Sequence, residues 1–297
     1  MASHAQLSSY ISSLAPVAYW KLDESSGTAF AQSGSSTAAS MTAVGTVLPG
    51  DVALIPGDTT GFVTLPPGTY TTASRGNVVV PVTNITVSCI IKYPGPALTQ
   101  IRILQLIAAG DTVATNSQIL LFIDSADQNF QDFVEYSAGT NQDIISEKRL
   151  DPRYAIGDGV LVFTTTRNAA TNTQKFYLNG VLFDTVSYAN DPTGGTSTFF
   201  VIGNHTGSLI NTPTQQNVSF GHMCFFDRVL SDSEVYGIAD NAGLADPLGE
   251  LRFAADAVNV PDLTILRNNV SKTLLCAIDP LVDISVAFPD DAYTTED

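Results

Sequence analysis

Gln174-Lys-Phe-Tyr-Leu-Asn179-Gly180-Val-Leu-Phe-Asp-Thr-Val186 decides how the chain is read. Two runs of β-forming residues meet at Asn179-Gly180, the dipeptide that most readily supplies positive φ at both central positions of a type I′ turn. That turn matches the twist of paired strands, so the stretch predicts a hairpin. Runs of the same kind flank it. Before it stand 61–65, 78–82, 85–92, 101–108, 119–124, 130–136 and 160–166; after it come 198–203 and 217–226. The segments between them are too short, and too poor in helical period, for βαβ crossovers. The pattern predicts a mainly β protein, an antiparallel sandwich with apolar residues inward and Thr, Ser and Asn outward.

Two helices interrupt the pattern. Ser3-His4-Ala5-Gln6 has the form of a capping box, and Leu7, Tyr10, Ile11 and Leu14 follow at i, i+3, i+4 and i+7 before Pro16 ends the stripe. Near the other end, Ser231 stands as N-cap and Glu234 completes its box, with Leu230 able to staple onto Val235. This second helix should reach about Ala239 and stop before Gly243. The expected layout is an N-terminal helix over 1–15, a β-sandwich over 16–244 and a β-rich extension over 245–297. The extension offers apolar runs at 251–255, 263–266, 274–278 and 282–288, and ends in an acidic tail. Fifty-odd residues make a marginal core alone, so a docking role is expected for it.

Composition narrows the role. The net charge is −16, from 29 acids against 13 bases, and Lys148-Arg149 is the only adjacent basic pair. A phosphate backbone would be repelled, so no nucleic-acid partner is expected. No apolar run is long enough to span a bilayer, and the N-terminus lacks the pattern of a signal peptide. Cys89, Cys224 and Cys276 are far apart and each sits in an apolar run, which predicts buried free thiols.

Three pieces in this order resemble the laminin-G-like, concanavalin A-like jelly-roll family. They are Pro16-Val-Ala-Tyr-Trp-Lys-Leu-Asp-Glu-Ser-Ser-Gly-Thr28, the Phe176-Tyr-Leu-Asn-Gly180 hairpin, and Ser219-Phe-Gly-His-Met-Cys-Phe-Phe-Asp-Arg-Val-Leu-Ser-Asp-Ser-Glu234. A short helix feeding Ala15-Pro-Val-Ala-Tyr-Trp20 looks like the start of such domains in minor tail proteins of tailed bacteriophages. The resemblance implies a LamG jelly roll over roughly 16–240. One departure matters: family members often carry an Asp-Glu pair in the strand before the last helix, where this chain reads Met223-Cys-Phe-Phe226. The calcium ligands of some members are therefore not carried over.

The family includes glycoside hydrolases, which the resemblance makes a rival reading for this chain. Hydrolysis needs two carboxylates roughly 5–9 Å apart. Glu24, Glu135, Glu147, Glu234, Glu250 and Glu296 never fall at i, i+2 or i+4 of one another, and Asp132 and Glu135 point to opposite strand faces. His4, His205 and His222 come without a Gly-x-Ser-x-Gly elbow. His222 and Cys224 stand at i, i+2, which is ligand spacing, but a core thiol beside a hydrogen-bonded His accounts for them more simply. Gly157-Asp-Gly159 precedes a strand and reads as a turn instead of a phosphate cradle. Asp124 and Asp127 could offer loop oxygens to calcium, or simply solvate a turn. Asn204, His205 and Asn211 are the loop residues best suited to hydrogen-bond a sugar.

No catalytic residue, metal or cofactor is assigned; calcium is an option without a motif. The expected function is a non-enzymatic structural component of a bacteriophage virion, a minor tail protein made in the host cytoplasm without a signal peptide. It would meet other virion proteins, form a homo-oligomer (a trimer on particle symmetry), avoid membranes and touch host glycans. A capsid-decorating protein and a carbohydrate-binding module of a bacterial surface protein are the alternatives.

Overall fold

The computed structural model describes residues 2–35, 40–67, 69–80, 83–92, 101–108, 117–123, 129–137, 140–149, 159–190, 195–203, 217–245, 263–267 and 270–274. The chain forms two compact units, Met1–Pro247 and Leu248–Asp297. In the second, β17 (Leu263–Arg267) pairs antiparallel with β18 (Val270–Leu274). The runs expected at 251–255 and 282–288, residues 275–278 of a third, and Cys276 lie outside the described residues.

The first unit holds two antiparallel sheets of eight strands. Sheet A runs β14 (Val181–Ser187), β13 (Thr173–Leu178), β12 (Val160–Asn168), β7 (Asn84–Lys92), β16 (Val218–Phe226), β5 (Gly61–Leu65) and β4 (Leu48–Ala53), with β1 (Ala18–Trp20) also paired to β16. Sheet B runs β11 (Thr140–Arg149), β10 (Asn129–Ser137), β9 (Ser117–Ile123), β8 (Ile101–Ala108), β15 (Gly195–Gly203), β6 (Tyr70–Val80), β3 (Met41–Val44) and β2 (Ala29–Phe30). Neighbours distant in sequence, such as β7 beside β16, give the jelly-roll connectivity.

The hairpin forms as its dipeptide predicts, with φ of 51° at Asn179 and 84° at Gly180. Asn179 does more than turn. Its side-chain oxygen accepts from the Val162 N–H at 2.9 Å and its own N–H donates to the Val162 carbonyl at 2.8 Å, so the turn extends the ladder of β12.

Inward residues of both sheets meet in one apolar layer. Trp20 packs edge-on against Phe200 at 5.1 Å, and Phe130 lies 4.4 Å from Phe163. Both distances fit favourable aromatic packing. A second apolar layer covers the outer face of sheet A, where Phe62, Ile90, Val162, Tyr177, Cys224 and Phe226 meet two helices. Those helices are α1 (His4–Ser13) and α2 (Asp232–Asn241). α1 sends Leu7 and Ile11 into this layer, and α2 sends Val235 and Ile238. Ser3 caps α1 through the Gln6 N–H, but Gln6 turns its amide oxygen to the Ser3 hydroxyl, so only half of the expected box forms. The box at Ser231 and Glu234 is complete.

Among the described residues, a charged pair crosses between the sheets. Asp132 on β10 accepts from Arg167 on β12, both side chains at most 1% exposed, and Gln174 on β13 joins them by donating to Asp132 at 3.0 Å. A buried pair of this kind is costly to break because the survivor is left charged in a medium of low dielectric.

Asp132→Asn should lower unfolding stability in urea by about 3–5 kcal/mol, read from Trp20 fluorescence, whereas Asp132→Leu with Arg167→Met should regain most of the loss. A Cβ on Gly180 would lie 2.9 Å from the Tyr236 Cα of α2, on a backbone that side chains resist. Gly180→Ala should therefore cost about 1–3 kcal/mol in the same assay.

Candidate functional site

A cluster of polar side chains lies beneath α1, in the helix-covered layer. β16 pairs with β5 over its first residues and with β1 over its last, and the register shifts between Gly221 and Cys224. At that shift His222 takes φ of 50°, a left-handed conformation rare for a side-chain-bearing residue, and its N–H donates to the Lys21 carbonyl at 2.9 Å. The bulge aims the imidazole at α1.

A linear chain of side chains results. The Tyr19 hydroxyl lies 2.7 Å from His222 Nδ1, His222 Nε2 lies 3.0 Å from His4 Nδ1, and His4 Nε2 lies 2.8 Å from the Asp23 carboxylate. The backbone N–H of His4 donates to Asp58 at 2.7 Å, which anchors the first turn of α1. Burial holds His222 uncharged, its pKa lowered to about 3, with the nearby His4 adding to the effect. Burial likewise pushes the Tyr19 hydroxyl upward. The two carboxyls move the other way: the His4 side chain lowers Asp23, and the His4 N–H brings Asp58 to about 2.

A second network joins the helices. Arg228 grips Glu234 with two hydrogen bonds of 3.0 and 2.8 Å and donates to the Leu14 carbonyl at 3.3 Å, so one side chain serves the start of α2 and the end of α1. This contact, with the Ser231 N–H, brings the Glu234 pKa to about 2. Tyr177 and Lys175 both donate to Asp232. Thr86 takes the Leu230 N–H and gives its own proton to the Arg228 carbonyl.

Asn204, His205, Asn211, Asp124 and Asp127 lie outside the described residues. Cys89 and Cys224 are free and buried. Cys89 faces the layer between the sheets and Cys224 the layer under the helices, where its thiol reaches the Ser88 carbonyl at 3.4 Å. Burial raises both thiols. Among the described residues no three His, Cys, Asp or Glu side chains are placed to hold a metal ion. In the sequence His4 stands in the cap of the first helix and among three histidines without a nucleophile elbow. Nothing in its neighbourhood announces a partner in His222, because 218 positions separate them.

A sandwich of two antiparallel sheets with jelly-roll connectivity defines a class of lectin-like domains, and comparison with known proteins places the chain within it. The family model of the concanavalin A-like lectin/glucanases superfamily matches residues 66–236, more than half of the 297-residue sequence. The chain belongs to this family, as a LamG-like domain. Among solved structures, the binding domain of botulinum neurotoxin serotype D superposes with a TM-score of 0.54 at 15% identity, covering 76% of this chain and 51% of that one. A structure described as a receptor binding domain gives 0.56 at 17% identity, covering 78% and 53%. The binding domain of botulinum neurotoxin DC, solved in complex with SialylT, gives 0.54 at 15%, covering 77% and 51%. The chain spans about half the length of these structures, and the likeness is one of fold. A search of curated protein sequences found no match.

The Arg228 grip makes an acid limb testable. Glu234 is lowered in the folded state, so its contribution is present above its ordinary pKa of 4.5 and is lost as pH falls through about 2. Arg228→Gln should flatten the fall of urea stability between those pH values, measured by unfolding midpoints across the range.

Proposed function

We propose that this chain is a non-enzymatic binding and structural domain of a bacteriophage virion, most simply a minor tail protein. It presents a LamG-like sandwich at the particle surface, among other virion proteins, in a homo-oligomer that contacts host glycans. The observation that carries the non-enzymatic reading is the state of the carboxyls. Glycoside hydrolysis needs one carboxyl raised enough to give a proton and a second nearby to act as base or nucleophile. Asp23 and Asp58, which flank His4, are both lowered and both committed to it. Asp132, Asp184, Asp232 and Glu234 each accept from a structural partner. Asp143 is raised by partial burial, but it pairs with Phe133 on the opposite face of sheet B from Asp132.

Support for the particle setting comes from the start of the domain. The short helix feeding Ala15-Pro-Val-Ala-Tyr-Trp20 resembles the opening of such domains in phage minor tail proteins, and here that helix forms part of the sandwich's outer layer. Support for glycan contact comes from the shared fold, since one neurotoxin binding domain was solved with SialylT. The acidic surface and neutral polar composition fit exposure on a particle.

A host-glycan array on the purified chain should show selective binding to surface polysaccharides, and gold-labelled antibody should decorate tails in electron micrographs. Gold on the head instead would make it a capsid-decorating protein. Glycan binding by a chain absent from particles would make it a carbohydrate-binding module of a bacterial surface protein. Turnover of a bound glycan would end the non-enzymatic reading.

A further inference from the structure

The polar chain beneath α1 holds one proton at His4 without losing a bond and has no place for a second. With both imidazoles neutral, His4 Nε2–H donates to Asp23, His222 Nε2–H donates to His4 Nδ1, and Tyr19 donates to His222 Nδ1. The Ser8 hydroxyl stands 3.4 Å behind Tyr19. A proton on His4 reverses the line: His4 Nδ1–H donates to His222 Nε2, His222 Nδ1–H to Tyr19, and Tyr19 to Ser8. Each ring nitrogen keeps a partner in either state.

His222 cannot charge in the same way. Once His4 carries its proton, one more on His222 would set His222 Nε2–H against His4 Nδ1–H, two donors 3.0 Å apart with no acceptor between them. Around it stand His4 and Ser8 of α1, Tyr19 of β1, Lys21 and Asp23 beyond that strand, Asp58, and Cys224 of its own strand. Asp23 and Asp58 would attract the charge, while His4 and Lys21 repel it. The Phe62 ring lies 5.4 Å away, and His222 is 1% exposed. Burial decides the balance against the charge.

We propose that α1 is an acid-released latch on the outer face of sheet A, held while His222 is uncharged and let go when His222 takes a proton. His4 occupies the first turn of α1 and lies between His222 and the partly exposed Asp23. Departure of the helix therefore opens His222 to water, where it titrates near about 6.5. The docked group has the lower pKa, so docking is fully favoured above that pH and weakens as pH falls toward about 3. At about pH 4.5 the docking equilibrium should have shifted roughly a hundredfold toward release.

Hydrogen exchange on the whole chain at about pH 7.5 and 4.5, corrected for intrinsic rates, tests this. The amides of α1 should lose roughly a hundredfold in protection while those of β7 and β12 keep theirs. His222→Asn retains a residue that tolerates left-handed φ but cannot charge, and should make α1 protection equal at both pH values. Should that variant fail to fold, an imidazole NMR titration of the unaltered chain gives the same answer. His222 should take its proton in step with loss of α1 protection. Unchanged α1 protection in acid, simultaneous loss in β7 and β12, full acid release in His222→Asn, or His222 charging beneath a docked helix would each overturn the proposal.

Discussion

β16 is buried at all nine of its positions, and that constraint organises the first unit. A strand with one wet face alternates; a strand covered on both sides needs an apolar partner for each. Phe220, Met223 and Phe225 find theirs in sheet B, while Cys224 and Phe226 need a roof. The roof is two helices of ten residues each, shorter than the length at which a helix stands alone in water. Packing and caps must hold them. Arg228 joins one helix end to the other start, and Gly237 lets the Tyr10 ring approach so closely that a Cβ would fall 2.1 Å from its hydroxyl.

The same constraint accounts for where the titratable groups sit. β16 changes partner from β5 to β1 midway, and the bulge that permits the change turns His222 toward α1. Groups that suggest chemistry in isolation become fastenings in place. Asp132 and Arg167 pin the sheets together, Asp58 holds the start of α1, and Glu234 starts α2. A lectin-like sandwich fastened in this way suits a domain whose proposed work is recognition by shape, with its polar interior committed to rigidity.

Legibility followed local signals. The hairpin at Asn179-Gly180, the strand Gly61–Leu65 and the capping box at Ser231 each depend on neighbours in the chain, and each formed. The apolar pattern predicts neither β4 and β11 nor the short β2 and β3. Pro49 and Gly50 argue against a strand, yet β4 lies at the edge of sheet A, where a missing N–H costs nothing to the ladder. β11 carries the exposed Asp143 and Lys148, which suit an edge that discourages pairing with other chains. Edge position is not visible to a pattern that looks for apolar alternation.

The sequence by itself determined the sandwich, its principal hairpin, both helices and the scarcity of catalytic sets, because turns, caps and period-two alternation act over a few residues. Only the tertiary structure decided that Asp132 would meet Arg167 across the sheets and that His4 would meet His222 under a helix. Those pairings arise from strand order and from one bulge. Both are set by how layers close over a shared core, and no local pattern encodes the distance between residues that lie far apart along the chain.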